Sequence, residues 1–164
     1  MKMMWKKMKK TVVAGLAAAM VLGLAGCGNS NSDIDIDPVA LADDMKASVT
    51  FQDQLSEVEL DKVLSLYGID SGIVDSGKAY LSTNATAEEI AVIKAKTAED
   101  VDTVKTAVQN RVASQLQSFE SYNANEVPKL ENPVIETAGT CVILCVCDDK
   151  GEAEAVIDSY TAAK

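Results

Sequence analysis

Histidine is missing from all 164 residues of the chain. Its absence removes the usual general base and the imidazole ligand together. Ser-His-Asp, Cys-His and His-metal catalysis are therefore excluded. Aromatics are scarce as well. The only tryptophan, Trp5, stands in a basic N-terminal stretch, and the remainder has Phe51, Phe119, Tyr67, Tyr80, Tyr122 and Tyr160. Several of these are needed to build a core, so a sugar-stacking platform is not expected. Neither a G-x-G-x-x-G turn nor a Walker loop occurs, which leaves nothing to cradle a nucleotide phosphate. No cofactor is expected. The 25 acidic residues give many accidental carboxylate pairs, but none is distinguished by its surroundings. Asp148-Asp149 reads as a helix cap, and no catalytic residue is assigned.

Positive charge is the next shortage, and it is unevenly placed. Lys2, Lys6, Lys7, Lys9 and Lys10 fall in the first ten residues, and no acid precedes Asp33. An apolar run, "TVVAGLAAAMVLGLAG", follows. A basic segment followed by an apolar one of this length has the form of a secretory signal peptide. It is short, and rich in Ala and Gly, for a spanning helix of about 20 apolar residues. Leu24, Ala25, Gly26 and Cys27 then spell the bacterial lipobox. The expectation is cleavage before Cys27, lipid on its sulfur, and anchoring at the extracytoplasmic face of the cell membrane. Residues 1–26 are thus a leader, 27–37 a lipidated cysteine and polar linker, and 38–164 one domain. Losing the leader takes five of the fifteen basic residues and no acid, which leaves a formal charge of −15. Such a domain is repelled by nucleic acid and by anionic headgroups. Anchoring then rests on the lipid, since a diacyl group supplies the two chains that stable attachment needs.

The lead-in "DIDIDP" places Asp33, Asp35 and Asp37 in alternation, which invites a calcium-loop reading. A loop starting at Asp33 needs Gly at its sixth position and Glu at its twelfth. Pro38 and Asp44 stand there instead, so Asp37-Pro38 is taken as a helix start, with a helix over residues 39–48. In "LSEVELDKVLSLYG", Ser56 and Glu59 have capping-box spacing, and Gly68 is a natural stop. "GKAYLS" reads as a strand. Thr86 and Glu89 could cap a helix, but Ile90, Val92 and Ile93 favour a strand over residues 89–96, hairpinned to the one before. Thr97 opens the longest helix, with Val101, Val104, Val108, Val112, Leu116 and Phe119 at helical spacing. "NANEVPKLENP" reads as a loop, and "VIETAGTCVILCVC" as two strands joined near Gly139. Asp148 or Asp149 caps a last helix. The fold class expected is α+β: two N-terminal helices, then a doubled β-β-α unit. Its four-stranded antiparallel sheet has the two later helices packed on one face.

"YGID", "ATAEEIAVIKAK" and "SFESYNANEVPKLENPVI" together resemble a family of bacterial lipoproteins known only as domain-of-unknown-function family 4358. The resemblance covers about residues 39–160. It implies a lipid-anchored extracytoplasmic domain, mainly of Gram-positive anaerobes, and supplies no activity, cofactor or catalytic residue.

Cys141, Cys145 and Cys147 form the remaining cluster. Strand alternation puts all three on one face, with Cys141 and Cys145 roughly 13 Å apart and Cys145 and Cys147 roughly 6.6 Å. Disulfide Cβ atoms must come within about 4 Å, so a regular strand forbids bonding inside the cluster. Only Cys145 and Cys147 approach zinc-ligand spacing, and then only with a bulge. The cluster is read as small apolar packing on a strand buried on both faces. The function expected is a non-catalytic binding or envelope-assembly domain whose partners are the membrane and an envelope protein or small ligand. The alternative is a thiol-based redox or metal-handling lipoprotein using Cys141, Cys145 and Cys147.

Overall fold

The computed structural model describes residues 34–162. Among them, five strands form one antiparallel sheet in the order β1-β2-β3-β5-β4. The strands are β1 (Ser56–Val58), β2 (Val74–Leu81), β3 (Glu89–Ala95), β4 (Val134–Ala138) and β5 (Cys141–Val146). The helices are α1 (Pro38–Ser48), α2 (Leu60–Tyr67), α3 (Val101–Tyr122), α4 (Val127–Glu131) and α5 (Lys150–Thr161). The α+β class holds, and so do the two hairpins and the strand at Glu89.

β3 and β5 lie side by side at the centre, and every residue of β5 is buried. A strand with apolar side chains in both directions needs cover on both faces. On one face Val142, Leu144 and Val146 pack with Val63, Leu64 and Tyr67 of α2 and Val104, Val108 and Val112 of α3. On the other, Cys141, Ile143 and Cys145 pack with Leu41, Ala42 and Met45 of α1 and Ala153 and Ile157 of α5. The domain is therefore three layers deep. This corrects the expectation that both later helices share one face: α3 and α5 lie on opposite sides of the sheet.

Other expectations are corrected locally. The sheet has five strands and not four, because Ser56–Val58 pairs with Ala79–Leu81 as an edge strand between the first two helices. Ser56 is thus no helix cap. α2 starts at Leu60 after Glu59, which makes no side-chain capping bond. Backbone pairing to β2 satisfies that segment better than a local cap, and β1 is too short to show alternation in sequence. Thr97 does not cap α3 directly. Its hydroxyl donates to Asp100 Oδ2 at 2.7 Å across a single 3-10 turn that precedes the helix. "NANEVPKLENP" is no simple loop, for it holds a 3-10 turn and α4, with Pro128 in the first turn where its missing N–H costs nothing.

Asp37 does cap α1, accepting from Val39 N and Ala40 N. Asp149, and not Asp148, caps α5, accepting from Gly151 N. Gly68 ends α2 at φ 69° and Gly139 turns β4 into β5 at φ 57°, both in the left-handed region that a Cβ disfavours. No helix among the described residues is long and apolar enough to cross a membrane.

Candidate functional site

Two neighbouring acids at the start of β3 organise the polar interior. Glu89 is 2% exposed in the side chain and faces α2 and α3. Its carboxylate accepts from Tyr67 Oη, from Arg111 Nε at 3.3 Å and Nη2 at 2.8 Å, and from Gln115 Nε2 at 2.7 Å. Four donors fill a carboxylate's acceptor positions, so this group has no lone pair left for acid–base work. Burial, and then Glu89, push the Tyr67 hydroxyl well above its ordinary range, which keeps it a donor. Arg111 is the only arginine of the chain. The Tyr67 ring lies 5.8 Å from its guanidinium carbon, so the group is held by a carboxylate and an aromatic face together.

Above this pair lies a cavity of about 280 Å³. Ser82, Thr83, Asn84 and Thr86 line one side, and Gln115, Ser118, Phe119 and Tyr122 of α3 the other. The loop side is built by local bonds. Ser82 Oγ donates to Thr86 O at 2.8 Å, and Thr83 Oγ1 donates to Asp53 Oδ2. Tyr122 is 69% exposed and meets Phe119 edge-on, with ring centroids 5.9 Å apart.

Strand alternation turns Glu88 away from Glu89. Its side chain is fully buried and accepts from Gln52 N and Asp53 N at 2.9 Å each, and from Lys129 Nζ at 3.0 Å. Lys129 also pairs with Glu126 at 3.1 Å and Asp148 at 3.4 Å. Glu126 in turn accepts from Ala87 N at 2.9 Å. These bonds tie the chain after α1, the start of β3, α4 and the end of β5 to one ammonium.

The cysteines lie where alternation put them, on the α1/α5 face, and all three are free. They are not equivalent. Burial pushes the Cys141 thiol up to about 11. Cys147 stands just past the ladder and lines a cavity of about 90 Å³ with Lys129, Asp148 and Lys150. The neighbouring Cys147, and then burial, hold the Cys145 thiol above its ordinary value, and the same neighbour draws Cys147 below it, while Cys147 Sγ donates to Asp149 O at 3.4 Å. No disulfide joins any two of them, as the strand spacing required.

A family profile described as Domain of unknown function (DUF4358) matches residues 47–147, more than half of the chain. The chain belongs to the DUF4358 family. The DUF4358 match takes in both acids, Arg111, Tyr122, Lys129 and all three cysteines of the cluster, and stops before α5. No curated protein and no solved structure matches the chain.

Leu24, Ala25, Gly26, Cys27 and Asp33 lie outside the described residues. Asp35 is engaged by Lys94 Nζ at 2.6 Å and Asp37 by its helix, so neither is poised for a cation. Among the described residues no group of three or more Cys, Asp or Glu side chains is arranged to hold a metal ion. The sequence reading missed Glu88, Glu89, Arg111, Gln115 and Lys129. One signal was available: two acids run directly into an apolar β-branched strand, where an unpaired charge is not tolerated.

Proposed function

We propose that the protein is a lipid-anchored extracytoplasmic binding domain without catalytic activity. The observation that carries this reading is the cavity over Arg111 and Glu89. It is open and walled largely by hydroxyl and amide groups, and both acids that line it are engaged, Glu89 by four donors and Glu88 by Gln52 N, Asp53 N and Lys129 Nζ. That arrangement fixes orientation and offers no general base, which is the chemistry of recognition. The lipobox at Leu24–Cys27 supports anchoring, and the acidic charge argues against nucleic acid and anionic lipid as partners. Two measurements test it. Cys27→Ala should leave an unprocessed precursor or release the domain; a processed, membrane-bound variant sinks the anchor. Ligand titration of the full chain in detergent micelles should perturb Thr83, Gln115 and Tyr122 resonances; shifts confined to other surfaces sink the site.

A second reading rests on Cys147, which lines a cavity with Lys129 and Lys150 and whose thiol the neighbouring Cys145 draws below its ordinary value. It makes the protein a thiol-active lipoprotein. Iodoacetamide on the native protein should then label Cys147 well before Cys141 or Cys145. Equal resistance of all three until unfolding leaves packing as their whole role.

A further inference from the structure

Hydrogen-bond polarity in the cavity narrows the ligand class. Three hydroxyls at its wall spend their protons inside the protein: Ser82 on Thr86 O, Thr83 on Asp53, and Ser118 on Ser114 O at 3.0 Å. Each therefore has lone pairs and no proton left for a ligand, one pair on Thr83 Oγ1 being taken already by Ala85 N at 3.3 Å. Gln115 spends an amide hydrogen on Glu89 and keeps its carbonyl oxygen, a fourth acceptor. Against these stand the Asn84 amide, the Tyr122 hydroxyl and one charged donor, Arg111. Arg111 gives Nε and Nη2 to Glu89, and no acceptor among the described residues takes Nη1. The wall is thus mixed, and it suits a ligand whose groups both donate and accept, as hydroxyls do, together with one carbonyl-like acceptor for the arginine.

Charge narrows it further. Glu89 cancels Arg111, and the surrounding domain is strongly acidic, so a carboxylate or phosphate gains nothing from the guanidinium and meets lone pairs elsewhere. A peptide separates its N–H and C=O groups at fixed spacing, whereas each hydroxyl of a polyol can do either, which matches a mixed wall more closely. Size and shape agree with a small polyol. About 280 Å³ lies at the low end of ligand cavities, and the Tyr122 ring, 69% exposed, stands at the rim.

We propose that this cavity binds a neutral N-acetylated sugar, with the acetamido oxygen on Arg111 Nη1, the hydroxyls on the Ser82, Thr83, Ser118 and Gln115 acceptors, and the ring's C–H face against Tyr122. The proposal rests on the binding-domain reading above and names its ligand. The Glu89 pair acts as a positioning device, since it fixes the guanidinium before the ligand arrives.

The test is a titration of the full chain in detergent micelles, read by saturation-transfer and backbone-resonance shifts. The probes are N,N'-diacetylchitobiose, cellobiose, N-acetyl-dialanine methyl ester and inorganic phosphate. Diacetylchitobiose should give saturable shifts at Thr83, Gln115 and Tyr122 and bind about tenfold or more tighter than cellobiose, which lacks the acetamido group. Tyr122→Ala should weaken it about tenfold with an unchanged melting curve. Arg111→Lys should erase the preference over cellobiose. Equal binding of both disaccharides overturns the assigned Arg111 contact. Saturable binding of the peptide ester or of phosphate in place of the sugar overturns the ligand class but leaves the binding domain standing. If none of the four probes shifts the cavity resonances, both readings fall.

Discussion

Glu88 and Glu89 are adjacent in the chain, both buried, and both bonded to a cation, yet their surroundings differ. Glu88 ends in a nearly sealed cluster: Glu88, Lys129 and Glu126 are 0–5% exposed in the side chain, and Asp148, 52% exposed, forms its outer edge. Glu89 ends in a pair whose arginine is 17% exposed and opens on a cavity. The sealed cluster joins four segments distant in sequence and leaves no donor over. The open one holds its arginine through Nε and Nη2 and leaves Nη1 without an acceptor among the described residues. The same side chain at successive positions thus serves closure of the fold on one side of β3 and presentation of a donor on the other.

The sharpest way to break this contrast is to remove the sealed cation. Lys129→Met leaves Glu88 and Glu126 buried without their counter-charge, a situation that costs about 3–5 kcal/mol. The denaturant midpoint should fall accordingly. Adding Glu88→Gln and Glu126→Gln should recover part of the loss, because the penalty is that of the uncompensated carboxylates. A drop below about 1 kcal/mol would show that water reaches the cluster and that it is not sealed.

Alkaline pH probes the same α1/α5 face through a different group. Cys141 is 1% exposed, with its thiol raised from an ordinary value near 9 to about 11. The folded state therefore holds a proton that the unfolded state releases earlier. Its stabilising contribution is complete below about pH 9 and is lost as pH rises through about 11, on the order of 2–3 kcal/mol. Unfolding titrations at about pH 8 and about pH 11 should show a loss that shrinks in Cys141→Ala. An identical loss in the variant assigns the alkaline sensitivity elsewhere.

On the open side the expected cost is smaller. Glu89→Gln removes the charge but keeps the shape, and the cavity lets water solvate Arg111. A loss on the order of 1–3 kcal/mol is expected, below that of Lys129→Met. Tyr67→Phe should cost about 1 kcal/mol. If Glu89→Gln proves the more damaging, the assignment of sealed and open is reversed.

Which parts of this were legible in the sequence follows from range. The β3 strand, the Gly139 hairpin, the long stripe from Val101 to Phe119 and the Asp37 and Asp149 caps all rest on neighbours within a few residues, and they stand as read. β1 was missed because a three-residue edge strand has no periodicity to detect; it exists only through pairing with Ala79–Leu81. The second helical layer was misplaced although its cause was visible: "CVILCV" is apolar in both directions, and Leu41, Ala42 and Met45 were the available cover. The site was hidden for a stronger reason. Arg111 meets Glu89 across 22 residues, and Lys129 meets Glu88 across 41. Nothing in spacing along the chain pairs them. The aromatic count was right that several are spent on the core, Tyr67, Tyr80 and Phe119 among them, but could not say that Tyr122 stands at the rim.

Tyr122 supplies the last and smallest effect on stability. It sits in the final turn of α3, and its edge-on contact with Phe119 is the only aromatic pair it makes among the described residues. Phe119 is 6% exposed and belongs to the core, while Tyr122 is 69% exposed and does not. Such a pair contributes about 0.5–1.5 kcal/mol when buried, and less with one ring in water. Truncation to alanine should therefore shift the unfolding free energy by under about 1 kcal/mol, against several for Phe119→Ala, which opens a core void. The ratio matters more than either value. A rim residue that the fold does not need, beside a donor the fold holds rigid, marks a surface kept for contact with something else. Should Tyr122→Ala cost as much as Phe119→Ala, the ring is a structural lid on α3, and the contrast between a sealed and an open acid loses its functional side.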